Sequence, residues 1–360
     1  MNIALVAYSV PQSTHIAIKG MDSYIYSLGS QLRQLGHTVN LYARAPIAAA
    51  EDWIHPVKTP TFSWLAYSHF LKNHLKSLQA DVYHSEYIAA GSAVVRANKR
   101  PCVVSVHDVI PFSDKKDGVR QKGFGNKLGA HFYFRWFKDI SSADALILMS
   151  HHARQEALEL TSVPEEKLHV VYNGVDTKAL FPLPKKSSEK IKIGYLGGLD
   201  GRKNVRLLVD SFRELQKSHD NIELHIAGRG ANLEVFRALN IPNAFFHGYL
   251  PEEKKNEFYN SLDIFVFPSL KEGFGNMALE AMAAGTPVVA SNRTSLPEVV
   301  GDAGLVAEPT VPEMSEKISQ LIGNPALRTT LAKKGRARAE EMNWAACARN
   351  TLKVYESVRK

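Results

Sequence analysis

Cysteine is nearly absent from this chain. Its 360 residues contain two, Cys102 and Cys347, far apart and without metal-ligand spacing. That pattern speaks against a disulfide-stapled scaffold and a thiolate metal site, and both thiols read as reduced in a cytoplasmic protein. Long apolar runs are missing as well, and the longest, such as residues 145–149 and 264–267, are far too short to span a bilayer. The opening MNIALVAYSV has no basic start and no extended apolar segment, so a first strand is expected there rather than a secretory leader. Repeats, heptads and low-complexity tracts are lacking. No Gly-x-Gly-x-x-Gly follows residues 2–7 or 191–196, which weakens a nicotinamide dehydrogenase reading. No His/Cys/Asp cluster suggests a bound metal. The net charge of +8 admits an anionic partner, such as nucleotide phosphates, acidic lipid or nucleic acid, but no nucleic-acid motif accompanies it.

What is present is an alternation of strand and helix patterns, in a chain long enough for two domains. Apolar, β-rich runs at 2–7, 38–43, 81–84, 102–106, 145–149 and 168–172 read as strands. Helical spacing marks the stretch ending at Gly36 and residues 62–78, 87–98, 128–140 and 151–160. The pattern breaks near Asn173, and residues 181–190, proline-rich and then charged, read as a linker. A second series follows, with strands at 191–196, 222–227, 244–246, 264–267, 288–291 and 305–307, and helices from Pro312 onward. Such βαβα order implies an α/β fold with parallel sheets covered by helices. Two such domains are expected to leave a deep cleft at the carboxyl ends of their strands.

The stretch LKEGFGNMALEAMAAGTPVVAS, residues 270–291, carries the most chemistry. Its order is strand, glycine loop, short helix, strand. Asn276 is expected to cap the helix and Gly285 to stop it. Helix N–H groups beside an opening attract anions such as phosphate. Glu272 falls in the loop and Glu280 about one turn into the helix. Farther up the chain, Arg202 and Lys203 follow a strand and Gly197, Gly198 and Gly201, which is fixed positive charge at a helix start where cations are slightly unfavourable. His107 stands just after the apolar run 102–106, at a strand's carboxyl end.

Glu272–Gly275 with Glu280, then residues 283–289 and 296–301, resemble the donor-binding region of the retaining glycosyltransferases of family four. Gly36-His37-Thr38-Val39, Val106-His107-Asp108, Tyr172–Asp176, residues 197–204, 247–251 and Asn343-Trp344 also fit that family in order and spacing. The resemblance covers nearly the whole chain. It implies the GT-B fold, two Rossmann-like domains facing across a cleft: an acceptor-binding domain over 1–177, a donor-binding domain over 178–342, and a helix over 343–360 returning toward the first. It implies transfer of a hexosyl group from a UDP- or GDP-linked sugar to a hydroxyl of a glycan, lipid-linked or small-molecule acceptor, with retention, without metal, and with no cofactor beyond the donor substrate.

The resemblance also assigns roles. Arg202 and Lys203 would neutralise the leaving diphosphate, Glu272 would contact hydroxyls of the transferred sugar, and His107 would contact that sugar and organise the reaction. Glu280 would accept from the ribose hydroxyls, which suits a carboxylate's planar acceptors. Gly20, Gly198, Arg229, Gly273, Phe274, Gly275, Asn276 and Met277 complete the implied donor contacts, Arg229 reading equally as a surface arginine. Two departures stand out: the family often has arginine at the position of Gly198 and an apolar residue at that of Asn276. Segment 115–138 mixes Lys115, Lys116, Arg120, Lys122, Lys127, Arg135 and Lys138 with Phe124, Phe132, Tyr133, Phe134, Trp136 and Phe137. It reads either as a peripheral membrane contact at the inner face or, preferably, as a loop before a helix with a buried aromatic face. A GT-B epimerase and a non-catalytic nucleotide-sugar binder are the alternatives in function.

Overall fold

A computed structural model describes residues 1–10, 21–45, 47, 51–58, 64–116, 127–185 and 188–359. The chain forms two compact units, Met1–Gly174 with Trp344–Lys360, and Val175–Asn343. Each is built on one sheet whose strand pairs are all parallel.

In the first unit the strands are β1 (Asn2–Val6), β2 (Thr38–Arg44), β3 (Ile54–Val57), β4 (Val82–Ser85), β5 (Cys102–Val106), β6 (Ala145–Leu148) and β7 (Leu168–Val170), in the order β3-β2-β1-β4-β5-β6-β7. Every residue of β4, β5 and β6 is buried; β6 is accordingly an uninterrupted apolar run, while β4 and β5 also bury the polar residues His84, Ser85 and Ser105. β3 is absent from the strand expectations. It holds Pro56, which local pattern reads as a breaker, and it survives because it lies at the sheet edge, where one missing N–H costs little. The helix Trp344–Val358 buries Cys347, Ala348, Thr351, Val354 and Tyr355 in this unit, with Trp344 edge-on to Tyr24 at 5.8 Å. Both cysteines are buried free thiols, pushed up to about 12 by burial.

The second unit has β8 (Ile191–Leu196), β9 (Ile222–Ala227), β10 (Ala244–Gly248), β11 (Ile264–Phe267), β12 (Val288–Ser291) and β13 (Leu305–Ala307), in the order β10-β9-β8-β11-β12-β13. The helix Val205–Leu215 shows how sequence places the layers. Val205, Leu207, Leu208, Val209, Phe212 and Leu215 are buried, while Arg206 and Asp210 pair outside at 2.8 Å across one turn. The proline-bearing stretch after Leu180 lies inside this unit, held as Phe181 N–H donates to Asn256 and Leu183 N–H to Asn260.

Both sheets share one topological device. β1 lies between β2 and β4, and β8 between β9 and β11. Connections leave in opposite directions beside these central strands, so the loops at their carboxyl ends part and leave room for a ligand.

Candidate active site

β8 and β11 are sheet neighbours, so loops distant in sequence meet at their carboxyl ends. After β8 the chain enters a tight turn at Gly201–Lys203, and Asn204, at φ 52°, leads into the helix Val205–Leu215. The Leu270 N–H donates to the Arg202 carbonyl at 2.8 Å, and the Arg202 guanidinium donates to the Lys271 carbonyl at 2.9 Å. These bonds set Lys203 Nζ 2.5 Å from Glu272 Oε1, to which Ser269 Oγ also donates at 2.6 Å; Arg202 stands 3.5 Å from Oε2. Lys203 is 4% exposed and Glu272 8%, whereas the Arg202 side chain is 43% exposed. Burial holds the Lys203 ammonium below the usual lysine range, against the opposing pull of Glu272. The pair is thus obligatory, since removing one member of such a pair costs about 3–5 kcal/mol.

The loop carrying Glu272 is fixed from the other side. Glu272 N–H donates to Thr294 at 3.0 Å, and Ser295 Oγ donates to the carbonyls of Glu272 and Phe274 at 3.1 and 2.7 Å. Gly275 has φ 114°, and a Cβ there would lie 2.6 Å from Leu296 Cδ2, so any side chain at this position would be strained. Gly275, not Asn276, precedes the helix Asn276–Ala283, and it has no side chain with which to cap it. The cap expectation therefore fails: the left-handed entry demands glycine, which moves Asn276 into the first turn.

Glu280, in the same helix, belongs to a second cluster. Lys255 Nζ donates to Oε1 at 3.0 Å and the Tyr259 hydroxyl to Oε2 at 2.8 Å. Lys255 also contacts Glu252 at 2.8 Å. Burial works against the Lys255 charge, but Glu280 and Glu252 outweigh it and raise its pKa. Beyond β9, Gly228 packs so closely on Gly197 that a Cβ would lie 1.7 Å from its carbonyl oxygen. Next to it Arg229 lies flat over the Tyr249 ring, 3.8 Å from its centroid.

The first unit presents different chemistry. At the end of β5 the His107 ring donates to the Glu86 carbonyl, burial lowers its pKa to about 4, and its buried Nε2 has no hydrogen-bond partner among the described residues. The ring proton therefore sits on Nδ1 and Nε2 is a neutral acceptor. His107 stands edge-on to Tyr24 at 5.0 Å and lines a cavity of about 210 Å³ with Tyr87, Asp108 and Tyr133 among its walls. Behind it runs a buried chain: the Tyr355 hydroxyl to His84 Nδ1 at 2.6 Å, His84 Nε2 to Ser105 at 2.8 Å, and Ser105 to Tyr24 at 2.8 Å. Burial lowers His84 to about 3.

The family pattern described as Glycosyl transferases group 1 matches residues 176–338, and that described as Glycosyltransferase Family 4 matches residues 18–179. The chain belongs to the family-four, group 1 glycosyltransferases. Among its relatives, the O-antigen chain mannosyltransferase B of Escherichia coli is 30% identical over 61% of this chain and 62% of its own length, so the matched segment spans less than two thirds of that protein. The MMP alpha-(1->4)-mannosyltransferase of Mycolicibacterium hassiacum is 27% identical over 99% of this chain and 98% of its own. The sucrose-phosphate synthase structure from Thermosynechococcus elongatus superposes with a TM-score of 0.82 at 19% identity, over 99% of each chain. The two parallel-sheet units are those of the GT-B fold class.

Within this glycosyltransferase, Arg202, Lys203 and Glu272 converge in one cluster, and Glu280 is held in another. Gly198 accepts a hydrogen bond from the Tyr195 hydroxyl at 2.6 Å through its carbonyl, and a Cβ there would lie 3.1 Å from Asp200 Oδ2. Gly273, Phe274 and Met277 flank Gly275 in the loop and the first helical turn. Gly20 lies outside the described residues. Sequence reading missed Lys255 and Tyr259, whose helix shows only a solvated lysine-rich start, and missed Ser269 and Ser295, for which no local signal exists. It also missed the buried chain from His84 to Tyr355. Among the described residues of segment 115–138, Tyr133, Trp136 and Phe137 are buried and Phe134 packs edge-on to Phe112 at 4.9 Å.

Proposed function

We propose that this protein transfers a hexosyl group, with retention and without metal, from a nucleotide-diphosphate sugar to an acceptor hydroxyl. The observation that carries the reading is the buried Lys203–Glu272 pair with exposed Arg202 beside it, at the carboxyl ends of β8 and β11. Breaking the glycosidic bond leaves negative charge on the diphosphate while the sugar becomes oxocarbenium-like. Arg202 and Lys203 supply preorganised cations for that charge. Glu272, oriented by Lys203 and Ser269, keeps lone pairs for hydroxyls of the transferred sugar. Glu280 takes the ribose. His107, neutral through the physiological range, accepts a hydrogen bond from a sugar hydroxyl through Nε2. With no side-chain nucleophile assigned to the reacting carbon, the leaving phosphate itself takes the acceptor proton, a front-side displacement implied by the family resemblance.

Two relatives named as mannosyltransferases support mannose as the first sugar to test. The inward packing of the described aromatics in segment 115–138 supports a helix with a buried aromatic face over membrane contact, while Arg120, Lys122 and Phe124 lie outside the described residues. Liposome flotation with anionic vesicles checks it, and retention of the protein at low salt would reverse that preference.

The deciding experiment is a calorimetric and thermal-shift screen of UDP- and GDP-linked hexoses side by side. A donor at a hundred times its Kd should add about 2.7 kcal/mol of stability. Transfer from the best donor should survive EDTA and give a product of unchanged anomeric configuration by NMR. Stabilisation by no nucleotide sugar would end the reading, and an inverted product would end its stereochemical part.

A further inference from the structure

We propose that Lys255 is a positioning residue: it fixes the Glu280 carboxylate so that its free lone pairs meet the two ribose hydroxyls of the donor. This rests on the donor reading above. Lys255 and Tyr259 are one turn apart on the helix Lys255–Ser261, so their side chains share one face. Each donates to a different oxygen of Glu280, Lys255 to Oε1 at 3.0 Å and Tyr259 to Oε2 at 2.8 Å. An ionised carboxylate offers about four lone-pair sites in its plane. Two are taken, one on each oxygen. The two that remain, again one per oxygen, suit a vicinal diol, whose two hydroxyl donors are spaced to meet them together.

The support for this geometry is rigid. Tyr259 is fully buried and its carbonyl accepts from Thr286 at 2.7 Å. Asn256 and Asn260 of the same helix hold the backbone of Phe181 and Leu183. Lys255 and Glu280 themselves are 20% and 18% exposed, enough for a ligand to reach the carboxylate. A merely structural lysine would stabilise the helix without caring which sugar the nucleotide carries.

The experiment compares calorimetric Kd values of UDP and GDP with those of their 2′,3′-dideoxy counterparts, for the wild type, Lys255→Met, Lys255→Arg and Glu280→Gln. The wild type should bind the better ribonucleotide about tenfold or more tighter than its dideoxy form, as expected for hydrogen bonds to a charged acceptor. Lys255→Met should weaken the ribonucleotide by about tenfold, leave the dideoxy form unchanged, and so remove most of the preference. Lys255→Arg should restore part of it. Equal weakening of both ligands by Lys255→Met, or a preference unchanged in that variant, would overturn the positioning role while leaving the donor site standing. A wild type without ribose preference would remove the role of Glu280 and that of Lys255 with it. A wild type that binds neither UDP nor GDP would instead sink the donor reading itself.

Discussion

The two units share a topology and differ in their chemistry. Around β8 and β11 the functional groups are charged and paired: Lys203 with Glu272, Lys255 with Glu280, Arg202 at the surface beside them. Around β4 and β5 the imidazoles are neutral, His84 and His107 both deprotonated by burial and set among Tyr24, Ser105 and Tyr355, with the carboxyl residues Glu86 and Asp108 at the strand ends. A parallel sheet with parted loops is indifferent to what it binds, and the side chains at the strand ends decide. Charge at one set of strand ends suits an anionic diphosphate. At the other, the neutral His107 ring offers one acceptor, Nε2, of the kind a hydroxyl can donate to.

The sharpest test of this contrast is Lys203→Ala. It should lower kcat/KM by on the order of a thousandfold or more and cost the second unit about 3–5 kcal/mol, because Glu272 is left buried without its cation. The double variant Lys203→Met/Glu272→Leu should regain most of that stability in a denaturant melt and remain inactive. Full activity in either protein would break the charged half of the comparison.

For the neutral half, His107→Ala should lower kcat about a hundredfold while UDP or GDP affinity stays within about twofold, if His107 acts on the sugar alone. Loss of nucleotide affinity to the same degree would merge the two halves.

Acid should distinguish the units by stability. His84 and His107 titrate near 3 and 4 in the folded protein, against about 6.5 when unfolded. The unfolded chain therefore binds more protons between those values, so stability is complete above pH 6.5 and declines as pH falls toward 4. Each histidine contributes on the order of 3 kcal/mol to that loss. Melting of the first unit followed by near-UV circular dichroism from pH 7 to 4.5 checks it, and a flat profile would show that these rings are not held neutral by burial.

The smallest effect is expected for Tyr355→Phe. It removes one hydrogen-bond partner of His84 and should cost the first unit about 1–2 kcal/mol, with the second unit unchanged. An unchanged melting temperature would show that the chain from Tyr355 to Tyr24 is incidental.

Much of this arrangement was legible in the sequence. Uninterrupted apolar runs such as residues 145–148 and 264–267 are buried on both faces, so they identify central parallel strands without tertiary information. Gly36 and Gly285, at φ 86° and 75°, end helices as their sequence positions imply. The edge strand β3 was not legible, because its proline is tolerated only where no neighbour needs the N–H. Nor was the exchange of Asn276 for Gly275 at the helix entry, since the left-handed φ of Gly275 is a property of the folded loop.

The order of strands and helices, the glycine turns and the family pattern around Glu272 and Glu280 were determined by the sequence alone, because they rest on local periodicity and on residues adjacent in the chain. Which charge meets which was decided only by the tertiary structure. Lys203 finds Glu272 because β8 and β11 are sheet neighbours, Lys255 finds Glu280 across 25 positions, and Tyr355 finds His84 although 271 positions separate them. Burial then makes those pairings strong, and burial is a property of the folded chain that no local stretch of sequence carries.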